Sequence, residues 1–188
     1  MRFSSLMVAS TALALVACGR DDPPSNVDVD NTTLEDDFTV NEGAALAPTT
    51  AQGFVNAAAA SDRFEIESSN LATTAGQSSA VKSFAGRMVT GHTASTAKLK
   101  STAAALTPAI AVDDTLNANQ QQMLDSLKGK SGADFDSAYA QAQVAAHQAT
   151  LDMLNDYASS GDNQALKDLA RSMVPTVTAH LNAAKGLK

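Results

Sequence analysis

The sequence predicts an all-α domain, a four-helix bundle with a long crossover that holds a short fifth helix, preceded by a signal peptide and a disordered tether. Three observations carry this reading. From Gln52 to Lys188 no long stretch alternates apolar with polar residues, whereas alanine, leucine, lysine and glutamine recur at helical spacing. Gly76, Pro108, Gly129, Gly132 and Gly161 punctuate those periodic runs. The acidic residues, finally, crowd into the segment before the first run, so residues 53–188 stand apart as one domain with a single core.

A first helix is expected over about Thr50 to Thr74, with Phe54, Ala57, Ser61, Phe64, Ser68 and Leu71 on one face and Gly76 as its breaker. The second, about Ser79 to Leu106, carries a stripe of Val81, Ala85, Met88, His92, Ser95 and Leu99 and stops before Pro108. Some 25 residues follow, with a short helix near Leu116 to Leu127. The third long helix, Asp134 to Ser159, shows Ala140, Val144, His147, Leu151 and Leu154. The fourth, Asn163 to Lys185, shows Leu166, Leu169, Met173, Val177 and His180, with Pro175 expected to bend it. Aromatic residues are scarce here, so the helices must approach closely through alanine and leucine. Four long helices with an extended link between the second and third fit a ferritin-like arrangement.

The chain begins MRFSSLMVASTALALVACGR, a single Arg2 and then an apolar run too short to span a bilayer, which reads as a signal peptide over residues 1–17. Leu15, Val16 and Ala17 before Cys18 resemble the lipobox of bacterial lipoproteins, in which that cysteine is lipidated. Gly19 in place of an aspartate then implies the outer membrane, facing the periplasm. An ordinary signal peptide with an incidental cysteine is the alternative. Cys18 is the only cysteine, so its lipidation excludes thiol catalysis, disulfides and thiolate metal sites.

Residues 18–52 read as a disordered acidic linker. Eight carboxylates against Arg20 alone give the segment from Gly19 to Gln52 essentially the whole charge of −7. Self-repulsion should extend it beyond roughly 30 Å. The domain itself is nearly neutral and has no basic patch, which argues against nucleic acid as a partner and leaves the membrane, reached through the lipid, as the expected one.

Three histidines, His92, His147 and His180, are the only ones in the chain, and each lies on the inward stripe of a different helix. His92, His147 and Glu65 lie near the middles of their helices and so should meet at one height. His180, past its helix midpoint, is expected to be displaced by about 8 Å unless the Pro175 bend or an offset corrects it. Imidazoles and a carboxylate gathered from separate helices suit a single zinc, copper or iron ion. The same rings also suit a structural role, fixing helix register through hydrogen bonds, or another ligand or acid–base role. Glu65 and Glu67 could each simply pair with Arg63 or Lys82. Val89, Val144 and Val177 stand three residues before the histidines, so the Glu-x-x-His pattern of di-iron bundles is missing. Gly129-Lys130-Ser131 lacks the glycine and strand of a phosphate-binding loop, and no Gly-x-Ser-x-Gly elbow occurs.

The segments FVNAAAASDRFEIESSNLA, VKSFAGRMVTGHTASTAKL, FDSAYAQAQVAAHQATLDML and VPTVTAHLNAAKGL, in that order, resemble the bacterial envelope family catalogued as domain of unknown function 4142. The resemblance covers residues 53–187 and implies a ferritin-like fold and export, but no activity. It also implies an aspartate before the histidine of the second helix, and often of the third, where this chain has Gly91 and Ala146. Two readings of function follow: a non-catalytic envelope lipoprotein that binds or supports, or a transition-metal protein using Glu65, His92, His147 and His180.

Overall fold

The computed structural model describes residues 48–187. The expected signal peptide, Cys18 and the linker as far as residue 47 lie outside them. Five helices follow in order: α1 Ala51–Ala75, α2 Ser79–Ala104, α3 Ala118–Lys128, α4 Gly132–Ser160 and α5 Gln164–Lys185. Ala51 and Gln52, where the expected linker and the expected first helix overlap, are the first residues of α1. Among the described residues there is no strand beyond an isolated bridge between Gly76 and Gly132, and no helix is long and apolar enough to cross a membrane.

At every helix but α4 a polar side chain marks the start by accepting from a backbone N–H that the first turn leaves free. Thr50 accepts from Gly53 and Asn163 from Leu166. Asn117 and Gln120 form a reciprocal capping box at α3. These caps explain why Thr50 and Asn163, read as helical, stand just outside. The helix α5 continues through Pro175, whose missing N–H leaves one rung open.

Cross-helix pairs fix the directions. Ser61 meets Thr150 at 2.7 Å, Ser68 meets Gln143 at 3.2 Å and Ser69 meets Tyr139 at 2.7 Å. Rising numbers on α1 thus face falling numbers on α4, so these two helices are antiparallel. Short turns make α1 antiparallel to α2 and α4 antiparallel to α5. Consequently α2 and α4 point the same way, and the chain between them must travel the length of the bundle. Residues 105–131 do this, with α3 packed on α1 and α4.

The α1–α2 turn is pinned from across the bundle. The buried carboxylate of Asp136, on α4, accepts from the Gln77 N–H at 3.0 Å and the Ser78 N–H at 2.7 Å. Gly76 is required there, because a Cβ would stand 2.7 Å from the Ala72 carbonyl oxygen and 3.0 Å from Asp136 Oδ1.

Two apolar clusters form the core. One gathers Phe64, Phe84, Met88, Phe135 and Tyr139; the other gathers Phe54, Leu99, Leu154, Tyr157 and Leu166. In the second, Phe54 and Tyr157 stack with ring centroids 4.1 Å apart. Each fully buried side chain of this size contributes about 1.5–3 kcal/mol. Between the clusters lies a slab of buried polar residues that belongs to neither.

Candidate metal centre

The slab contains Asp62, Glu65, His92, Gln143 and His147, all buried, with His180 half-buried at its edge. The three imidazoles converge. Ring centroids are 5.6 Å apart for His92 and His147, 5.5 Å for His92 and His180, and 5.5 Å for His147 and His180. One nitrogen from each ring lies within 4.8 Å of the other two.

His180 therefore joins the group that the midpoint argument set it apart from. The turn between α4 and α5 is the better reference. His147 stands thirteen residues before Ser160 and His180 sixteen after Gln164, an offset of about 4.5 Å along the axes. Side chains lean toward the N-terminus of their own helix. In antiparallel helices this carries the two rings toward each other and closes the gap.

Counting from the α1–α2 turn likewise finds a residue that sequence reasoning missed. Asp62 stands thirteen residues before Ala75 and His92 thirteen after Ser79, so the two face each other. His92 Nδ1 donates to Asp62 Oδ1 at 2.8 Å, and Thr96 donates to Asp62 Oδ2 at 3.1 Å. The equal counts were the available signal.

Each buried ring presents a lone pair inward. With Nδ1–H of His92 held by Asp62, its Nε2 is the free base. His147 Nδ1 donates to the Gln143 carbonyl at 2.9 Å, which frees its Nε2 in the same way. His92 Nε2, His147 Nε2 and His180 Nδ1 are buried and have no hydrogen-bond partner in the protein. Leaving a buried polar atom unsatisfied costs about 1–3 kcal/mol, so three together need an explanation.

Glu65 is not one of the three converging groups. Its Oε1 lies 3.4 Å from His147 Nδ1, on the edge of the ring facing away from the free lone pair, and neither carboxylate oxygen has a hydrogen-bond partner. Burial pushes its pKa up to about 7, against the pull of His92. Glu67 pairs with Arg63 at 2.7 Å, as one of the sequence alternatives had it. Burial, with the charge of His92, pushes His147 and His180 down to about 4, so both are neutral near pH 7. Burial also opposes the charged form of His92, but its bond to Asp62 and the charges of Glu65 and Asp62 outweigh this and raise it above the ordinary value.

Gly91 borders the cluster where the family resemblance implied an aspartate. A Cβ there would lie 3.5 Å from His180 Cε1, so His180 packs against nearly bare backbone of α2. Ala146, at the second such position, is buried.

Fold and site together define a helical-bundle protein with an imidazole cluster enclosed between two apolar cores. The chain belongs to the family described as domain of unknown function (DUF4142), whose profile matches residues 38–187. A solved structure described as CopM in the Cu(II)-bound form shares the fold, with a TM-score of 0.60 at 14% identity over 73% of this chain and 94% of that one. No curated protein matches.

Proposed function

We propose that this protein is a non-catalytic binder of a single transition-metal ion, held by His92, His147 and His180 and favouring copper(II), with Glu65 as the nearby balancing charge. The observation that carries this reading is the convergence of three rings, one nitrogen of each within 4.8 Å of the other two, together with a buried nitrogen on each ring that has no protein partner. Three neutral imidazoles are borderline donors, and among divalent first-row ions copper(II) binds such sites most tightly. Bonds of about 2.0 Å put ligand nitrogens about 2.8–4 Å apart, a spread close to the 4.8 Å within which one nitrogen of each ring lies. Half-buried His180 is the ring with room to move. The CopM structure with copper(II) in a bundle of this fold supports the same choice.

The protein would do this outside the cytoplasm. A signal peptide over residues 1–17 and lipid on Cys18 would hold the ferritin-like domain at the periplasmic face of the outer membrane on its acidic arm. Labelled palmitate should appear on the intact protein and be lost in Cys18→Ser; unlabelled wild-type protein would remove the anchor from the reading.

Elemental analysis after copper(II) loading tests the binding itself. One equivalent is expected for the wild type, with loss in both His92→Ala and His147→Ala at retained helicity. Copper that stays stoichiometric in both variants would place it elsewhere, and a wild type that takes up none would dispose of the function.

A further inference from the structure

Apolar clusters close the slab at both ends, so a ligand can reach the imidazoles only from the side. One side is open. A cavity of about 230 Å³ lies between α2 and α5, and both His92 and His180 line it, whereas His147 and Glu65 do not. His92 is 5% exposed and its unpartnered Nε2 belongs to a residue of this wall. The remaining wall is largely apolar, with Ala58, Leu169, Met173 and Val177 among its residues.

One cation stands on the cavity wall. Lys98 Nζ donates to Ser172 Oγ at 3.0 Å, tying α2 to α5, and among the described residues it has no carboxylate within ion-pair distance. Asp62 also borders the cavity, but both its oxygens are engaged by His92 and Thr96. The wall therefore favours an anion over a second cation.

Resting on the metal-binding reading above, we infer that the cavity admits a small monoanion, up to the size of a short-chain carboxylate, to an open position of the metal. Three protein ligands leave such a position, and the cavity is where it faces. Apolar walls strengthen the attraction between anion and metal by excluding water, and Lys98 draws the anion in.

Copper-loaded protein titrated with sodium azide tests this, with copper stoichiometry measured on the same samples. The expected result is a saturable azide-to-copper charge-transfer band and a changed electron paramagnetic resonance spectrum, both suppressed by added butyrate. Ala94→Phe from α2 and Thr176→Phe from α5 should each fill the cavity and weaken azide binding at least tenfold while copper stays stoichiometric. Lys98→Glu should weaken it several-fold. Full copper with no azide band, or wild-type azide binding in both filled variants, would overturn the inference and leave the metal site standing. Absence of copper from the wild type would remove both.

Discussion

Asp62 and His92 face each other across the α1–α2 hairpin, Oδ1 to Nδ1 at 2.8 Å, each thirteen residues from its end of the turn. The carboxylate selects the tautomer that turns Nε2 toward the other two rings. Outer partners of this kind commonly contribute 10–100-fold to metal affinity. Asp62→Asn should therefore weaken copper(II) binding by about that range, measured by competition with a chelator, while far-ultraviolet circular dichroism stays unchanged. Undiminished affinity would show that the bond does not orient the ring.

Glu65 sets stability against binding. Its folded pKa, about 7, lies above the ordinary carboxylate value near 4.5, so the folded state holds the proton longer than the unfolded chain. The contribution of Glu65 to the stability of the metal-free protein consequently falls as pH rises from about 4.5 through 7. Glu65→Gln should make the metal-free protein more stable at pH 8, by about 1–3 kcal/mol, with little change at pH 4.5. The same variant should bind copper(II) more weakly. Urea melts at the two pH values, with and without metal, check both arms.

His147 acts in the opposite sense. Its folded pKa of about 4 lies below the ordinary 6.5, so between those values the unfolded chain takes up a proton that the folded protein refuses. That contribution is complete above pH 6.5 and declines toward pH 4, by about 3 kcal/mol for this residue alone. His147→Gln should flatten the acid limb of the stability profile over that window. A limb of unchanged slope would mean that the ring does not titrate there.

Gly91 weakens α2 by its low helix propensity at the place where His180 packs. The nearest atom to an added Cβ is His180 Cε1 at 3.5 Å, an ordinary separation. Gly91→Ala should raise the stability of the metal-free protein by up to about 1 kcal/mol through helix propensity. Copper affinity should stay within about twofold. A large loss of affinity would mean that His180 must move across this position to bind.

The architecture was legible because helices announce themselves by period and punctuation. Every long stripe from Phe54 to Val177 lies on a helix of the structure, and the boundaries shifted only by the width of a cap. The histidine cluster was legible in part, since inward position follows from the stripe. Height did not follow from midpoints, because α4 and α5 differ in length and share only their turn. Asp62 was hidden by its type: an aspartate between Ser61 and Arg63 reads as a solvated face until the facing histidine is counted out. Glu65 was correctly placed inside, but its carboxylate rests behind His147, a matter of side-chain direction that spacing alone does not encode.

The grip of Asp136 on Gln77 and Ser78 bears on how this domain tolerates insertions and deletions. Both arms of the hairpin are measured from that clasp, and one added residue in it would rotate His92 by about 100° around its helix axis, away from its partner. Residues 105–117, which join α2 to α3, are also tied to α1, where Gln52 donates to the Ala111 carbonyl, Asn56 accepts from the Asp113 N–H and Arg63 donates to Asp114, but these ties lie beyond His92 and do not set its register. Length variation should accordingly disturb the imidazole cluster less there than at Gly76–Ser78, where even a single inserted alanine would turn His92 away from Asp62 and the other two rings while leaving most of the helices intact.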